Sequence, residues 1–72
     1  MALFTDRFIF YRWYWEAIRQ LEDEAEQLEL IKAVCNYGFY GLEHTFNKPY
    51  LTGMFIMIKQ NIDRERKWAL NQ

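Results

Sequence analysis

The chain is poor in the residues from which metal and catalytic sites are built. It has one cysteine, Cys35, and one histidine, His44, among 72 residues. A single cysteine excludes a disulfide within the chain, which is typical of proteins from reducing, intracellular compartments. Because a metal site needs three or four His, Cys or carboxylate ligands, we expect no metal and no other cofactor. We interpret Cys35 as a buried apolar residue and His44 as an ordinary loop residue.

Long apolar runs and glycine-rich phosphate-binding loops are also missing. The longest uninterrupted apolar run, Met54 to Ile58, is far shorter than the ~20 residues of a membrane-spanning helix, and we expect no secretory signal peptide. The formal net charge of −1 gives no general attraction to nucleic acid. These absences predict a protein that is not an enzyme, does not enter a membrane and has no small-molecule substrate.

The length limits how much core the chain can build. With 72 residues it is near the lower limit for independent folding. We therefore expect a single domain over residues 1–72 and a homodimer, because association with a second copy stabilises a marginal fold.

Apolar residues recur at helical spacing in three segments, which predicts an all-α, three-helix domain. The predicted helices cover about 7–21, 23–40 and 49–69. Three features mark their starts: Thr5 or Asp6 as the first N-cap, an acidic capping-box-like sequence at Asp23, and Pro49. The predicted core faces are Phe10, Tyr14, Ala17, Ile18 and Leu21; then Leu28, Ile31, Val34, Cys35 and Phe39, widened by Leu30 and Tyr37; then Leu51, Phe55, Ile58, Ile62 and Ala69.

Three glycines and one aromatic residue give further predictions about helix ends and packing contacts. Gly38 and Gly41 are both helix stop signals, with Gly41 the better candidate, and Gly38 is alternatively a close packing contact. Gly53, inside the third helix, predicts the close approach of another backbone. Phe46 is expected to anchor the loop between the second and third helices.

Aromatic residues are concentrated near the amino terminus. Six of the eight residues from Phe8 to Trp15 are aromatic, and on a helix they would point nearly all the way round, whereas one face is buried. Some must therefore lie outside the core and imply a partner surface, unless a small core simply uses bulky residues. Interfaces are enriched in Trp, Tyr, Phe, Met and Arg. The predicted protein-binding residues are Phe8, Tyr11, Arg12, Trp15, Tyr50, Met54, Met57 and Trp68.

Charge is unevenly spread along the chain. Residues 1–21 carry a net charge of +1, residues 22–43 carry −5 and residues 44–72 carry +3. We interpret these segments as solvated helix faces that attract one another, with an acidic docking surface as the alternative. Binding of nucleic acid is a second alternative, which the acids Asp63 and Glu65 disfavour. Its candidate residues are Lys59, Arg64, Arg66 and Lys67, beside Trp68 as a stacking residue.

Three stretches carry a resemblance to a known family. They are FIFYR at 8–12 continuing into YWEAI at 14–18, NYGFYG at 36–41, and IKQNID at 58–63. Together they resemble a family of small helical proteins of unknown function encoded by bacteriophages, prophages and mobile elements, over roughly residues 8 to 66. The resemblance implies a cytoplasmic protein in a bacterial host cell, without a catalytic signature. For the target we keep two alternatives, a replication protein and a host-defence protein, between which the sequence does not choose.

Overall fold

A computed structural model describes the backbone of residues 5–70 and the side chains of residues 5–67. It contains three helices: α1 (Arg12–Ile18), α2 (Glu24–Tyr40) and α3 (Pro49–Leu70). No strand occurs in this described range. The prediction of an all-α, three-helix fold is therefore confirmed.

Helix α1 is much shorter than predicted. Residues 7–11 are not helical, and the N-cap is Tyr11, whose backbone is extended at φ −67° and ψ 148° and which has no side-chain cap. The expected start near residue 7, with Thr5 or Asp6 as N-cap, is wrong. The physical reason is packing: side chains two residues apart on an extended segment point the same way, so Phe8 and Phe10 both pack against the core.

Helix α2 begins and ends close to the predicted positions. The carboxylate of Asp23 accepts a hydrogen bond from the backbone N–H of Ala25 at 2.8 Å, which satisfies one free donor of the first turn. In a capping box the Glu26 carboxylate would also accept a hydrogen bond from the backbone N–H of Asp23. Here it accepts hydrogen bonds from Lys48 and Tyr50 instead. At the other end Gly41 adopts the left-handed conformation at φ 71°, which confirms it as the helix stop.

The carboxyl end of α2 is where the three segments meet. The Gly38 carbonyl accepts a hydrogen bond from the Arg66 guanidinium at 2.6 Å, and the Phe39 carbonyl accepts one from the backbone N–H of Thr5 at 3.0 Å. The ring of Phe8 lies 2.5 Å from the place that a Cβ on Gly38 would occupy. Gly38 is thus not a helix stop but a close packing contact inside α2, which was the second interpretation of this glycine. It packs against Phe8 of the amino-terminal segment.

Helix α3 starts at Pro49, as predicted, and Phe46 is buried against its Phe55, with ring centroids 5.5 Å apart. The expected backbone contact at Gly53 is not found. In the described part of the chain no atom lies within 4 Å of a Cβ built there, so this glycine costs about 1 kcal/mol of helix propensity without a packing reason inside the chain.

The core follows the predicted faces of α3 better than that of α2. Leu28 was expected to be buried but is 53% exposed, whereas Ala33 is buried and Cys35 is only partly covered. The polar contacts of Glu26 and Tyr37 with α3 set the rotation of α2, which turns Leu28 outward. Ala69 lies outside the described side chains. The buried hydrophobic residues are Tyr14, Ile18, Leu30, Ala33, Val34, Tyr37, Phe46, Leu51, Phe55, Ile58 and Ile62.

Candidate partner-binding surface

Trp15 projects from one edge of α1, beside the stripe of the helix that packs against the core. Its side chain is 42% exposed. Arg12 lies three residues before it and Arg19 four residues after it, so both are its neighbours on the helix surface, and both are exposed. Arg19 pairs with Glu16 at 3.2 Å. The result is an open indole with an exposed arginine one turn before it and another one turn after it.

Trp13 provides a useful contrast on the same short helix. It is 41% exposed, almost as much as Trp15, but its ring packs edge-on against Tyr14 with the centroids 4.7 Å apart. Two positions separate these tryptophans, about 200° around the helix axis. They therefore lie at opposite edges of α1 and do not form one patch.

Two residues predicted for the partner surface are used within the fold. The ring of Phe8 packs edge-on against Phe39, with centroids 4.8 Å apart, and fills the space over Gly38. The Tyr11 hydroxyl donates a hydrogen bond to Glu65 at 2.6 Å, which raises the pKa of Tyr11. Of the residues predicted in this region, Arg12 and Trp15 remain open.

The second predicted stripe lies on α3 and is open over part of its length. Tyr50 is 48% exposed and Met57 is 62% exposed, whereas Met54 is partly buried against the core. Trp68 lies outside the described side chains. Sequence reasoning missed Ile56, which is 44% exposed, although its position three residues after Gly53 places it on the same outer face.

Tyr50 is held in place by a charged pair at the start of α3. Its hydroxyl donates to the Glu26 carboxylate at 2.5 Å, and the Lys48 ammonium donates to the same oxygen at 2.5 Å. The hydrogen bond from Lys48 is the main cause that lowers the pKa of Glu26. The contact also places the acidic amino-terminal end of α2 beside the amino-terminal end of α3.

The basic residues proposed for nucleic acid separate into two groups. Lys59 contacts both carboxylate oxygens of Glu43, at 2.8 and 2.9 Å, and Arg66 is bound to the Gly38 carbonyl. Arg64 and Lys67 are exposed. Half of the predicted basic cluster is therefore engaged within the chain.

Several acids of the middle segment contact groups elsewhere in the chain. Beside the Glu26–Lys48 and Glu43–Lys59 pairs, Glu29 lies 2.9 Å from the imidazole of His44. These contacts favour the interpretation that the charged segments attract one another.

Tyrosine hydroxyls connect α3 to the rest of the core. The Tyr14 hydroxyl accepts a hydrogen bond from the Asn61 amide at 2.8 Å, and the Tyr37 hydroxyl donates to Asp63. Burial, followed by the bond to Asp63, raises the pKa of Tyr37 well above its usual value.

Burial also raises the pKa of the Cys35 thiol, which disfavours the reactive thiolate.

Metal-binding clusters and membrane-spanning helices are both missing from the described residues. Within residues 5–67 no group of three or more His, Cys, Asp and Glu side chains is arranged to hold a metal ion. Of the helices in the described range, none combines the length and apolar character that crossing a bilayer requires.

Comparison with known proteins gives a family but no characterised relative. Residues 7–71 match the sequence profile of a family described as "Family of unknown function (DUF6291)". The chain belongs to DUF6291. The resemblance to a family of unknown function is thereby confirmed, whereas a phage or mobile-element origin of this DUF6291 protein stays a prediction. Neither the comparison with curated proteins nor that with solved structures found a match.

Proposed function

We propose that this DUF6291 protein is a non-catalytic protein-binding module and that Trp15 anchors its binding surface. The observation that carries the proposal is the exposure of this indole between Arg12 and Arg19 on a face that the core leaves open. Trp and Arg are the residue types in which binding hot spots are richest. A tryptophan offers a large, rigid contact area with a polar N–H at its edge.

The fold holds this surface without needing it. Tyr14 and Ile18, both 0% exposed, fix α1 to the core through a stripe of the helix that does not include Trp15. The Arg12 guanidinium is free to bind a carboxylate of the partner in two parallel hydrogen bonds. Binding at this surface therefore does not compete with folding.

The proposal extends to the biological setting that the sequence resemblance implies. In that setting the protein is phage or mobile-element encoded and acts in the cytoplasm of a bacterial host, on a replication or host-defence protein. We further propose that the chain forms a homodimer, for which the exposed apolar face of α3 is the available surface.

Nucleic acid is the competing partner, and the contacts disfavour it. Phosphate binding relies on free cations, and two of the four candidate cations, Lys59 and Arg66, are engaged within the chain. Salt dependence distinguishes the two partner classes, because release of counterions from phosphate makes affinity fall steeply with salt.

The test begins with co-purification from expressing bacterial cells and identification of the bound species. The affinity of that species is then measured for the wild type, Trp15→Ala and Trp13→Ala by calorimetry. Trp15→Ala should cost about 2 kcal/mol or more, roughly a 30-fold loss. Trp13→Ala is the matched control, because it removes an equally exposed indole from the opposite edge of α1.

Equal losses in the two tryptophan variants would show that the Trp15 face is not the binding site. A second set of variants tests the competing partner class. Changing the two exposed cations, Arg64 and Lys67, together to Gln should leave a protein partner bound. Loss of binding in that variant, with Trp15→Ala still active and a steep salt dependence, would establish nucleic acid instead.

A further inference from the structure

Gly53 has no reason inside the described part of the chain to be glycine. It lies within α3, its φ is not positive, and apart from its chain neighbours and the backbone of its own helix turn no described atom lies within 4 Å of a Cβ built on it. Glycine is among the least favourable residues in a helix interior. The position is explained if another molecule's backbone approaches the helix there, because a side chain would keep it away.

Exposed apolar side chains surround Gly53 on the outer face of α3. Tyr50 lies one turn before it, and Ile56 and Met57 lie one turn after it. Met57, at 62%, is the most exposed large hydrophobic residue of the described chain. The three side chains together expose on the order of 300 Å², the size of a functional patch on a monomer.

The charge distribution along α3 is divided at its middle. The ten residues from Pro49 to Ile58 carry no charged side chain, whereas every charge of α3 lies from Lys59 onward. On the outer face the exposed cations are Arg64 and Lys67. The acidic end of α2, with Glu22 and Glu24 exposed, lies beside the opposite end of α3, because Glu26 binds Tyr50.

We propose that a second copy of this chain occupies this face, with the two α3 helices crossing antiparallel at Gly53 about a two-fold axis. The proposal rests on the proposed homodimer and gives its interface. Because Tyr50 lies three residues before Gly53 and Ile56 three residues after it, a two-fold axis at Gly53 sets exposed Tyr50 of each copy against exposed Ile56 and Met57 of the other. A two-fold interface requires that self-complementarity, since one patch meets its own copy.

Charge complementarity favours the antiparallel arrangement. It places uncharged half against uncharged half, and it directs Arg64 and Lys67 of each copy toward the acidic α2 terminus of the other. A parallel arrangement would bring the charged halves of the two helices side by side. The apolar patch around Gly53 would form the core of the interface.

Sedimentation velocity over a concentration series into the high micromolar range tests the interface. The full chain should sediment as a dimer. Gly53→Leu and Met57→Glu should each raise the dimer dissociation constant at least about 10-fold, in line with the cost of losing a central interface contact. Both variants should keep the helical circular dichroism of the wild type. Leu28→Glu is the matched control, because Leu28 is an exposed leucine on α2, and this variant should remain dimeric.

Two outcomes would overturn the proposal, and they differ. A wild-type chain that is monomeric throughout refutes the homodimer and the interface together. A dimer that is unaffected by Gly53→Leu and Met57→Glu but dissociates with Trp15→Glu keeps the homodimer and moves its interface to α1.

Cysteine crosslinking tests the two-fold axis directly. In a Cys35→Ser background, Gly53→Cys places two thiols at the crossing point. The cysteine side chain is much smaller than that of leucine and weakens the dimer less than Gly53→Leu does, and mild oxidation should link the copies, since a disulfide needs Cα atoms within about 7 Å. Leu28→Cys in the same background should stay unlinked. A dimeric Gly53→Cys protein that does not crosslink would exclude a crossing at this residue.

Discussion

The amino-terminal region and the pair formed by α2 and α3 are held in different ways. Helices α2 and α3 have 17 and 22 residues, and their apolar faces pack along each other with hydrogen bonds between Tyr50 and Glu26 and between Tyr37 and Asp63. The amino-terminal region has a helix of seven residues and an extended segment before it. It attaches through single side chains: Tyr14 and Ile18 in the core, Tyr11 at Glu65, and Phe8 over Gly38.

The difference shows what local sequence can specify. Helices shorter than about 12 residues are marginal by themselves, so α1 exists because of the contacts that its buried side chains make. Its bounds therefore follow the shape of the α2–α3 surface. The long helices begin and end where their own caps and glycine dictate, at Asp23, Gly41 and Pro49.

The largest expected effect comes from breaking the attachment of α1. Tyr14→Ala removes a fully buried ring and its hydrogen bond with Asn61, and should lower the free energy of unfolding by about 4 kcal/mol. Urea unfolding followed by circular dichroism measures this loss. Leu28→Ala, at a position 53% exposed, is the control and should change stability by less than about 0.5 kcal/mol. A loss below about 1 kcal/mol for Tyr14→Ala would mean that α1 is held by other contacts.

A smaller effect is expected within the α2–α3 pair. Tyr37→Phe removes the hydrogen bond to the Asp63 carboxylate and should cost about 2 kcal/mol at neutral pH. Burial and Asp63 raise the pKa of Tyr37 above its unfolded value. The contribution is therefore fully present below about pH 10 and is lost as the pH rises through the folded-state pKa.

Unfolding curves at neutral and alkaline pH measure this dependence. Wild type and Tyr37→Phe should differ in stability near neutrality and converge in strongly alkaline solution. A difference that stays constant across that range would contradict the assignment to the hydroxyl group.

The two helix-interior glycines allow the same substitution to be compared in both regions. Gly38→Ala places a Cβ 2.5 Å from the Phe8 ring and should cost about 1 kcal/mol net, the strain exceeding the gain in helix propensity. Gly53→Ala meets open space and should stabilise the isolated monomer by about 1 kcal/mol. Thermal unfolding at low protein concentration measures both.

The control for this comparison is Phe8→Ala. In that background Gly38→Ala should become stabilising, because the obstructing ring is gone. If Gly38→Ala remains destabilising there, the strain comes from a contact other than Phe8.

The smallest expected effect concerns the charged pair at the start of α3. Lys48, with Tyr50, lowers the pKa of Glu26, so its contribution to stability is present above the unfolded pKa of about 4.3 and is lost as the pH falls through the folded-state pKa. Glu26→Gln should therefore be slightly less stable than wild type near neutrality and lose less stability in acid. The urea midpoints of wild type and Glu26→Gln, measured near neutral pH and in acid, test this. The control is Glu16→Gln, because Glu16 forms an exposed ion pair with Arg19. An identical acid response in wild type and Glu26→Gln would contradict it.

Much of the long-helix architecture could be predicted from the residues, and less of the candidate surface. The spacing of Leu51, Phe55, Ile58 and Ile62 identified the buried face of α3 because their side chains face α2 at helical period. The same reasoning misplaced Leu28, since α2 carries two apolar stripes and only contacts with α3 select between them. In the candidate surface it identified Arg12 and Trp15 as open residues, but it grouped Phe8 and Tyr11 with them.

The sequence by itself determined the helical class, the caps of α2, the start of α3 and the excess of aromatic side chains, because these depend on local propensity and on residues close in the chain. Only the tertiary structure decided which aromatics are buried. An extended segment lets Phe8 fill the space over Gly38 and lets Tyr11 reach Glu65, contacts that span about 30 and 54 positions. Such pairings depend on the shape of the assembled α2–α3 surface. That shape leaves Trp15, and the face around Gly53, open to a partner.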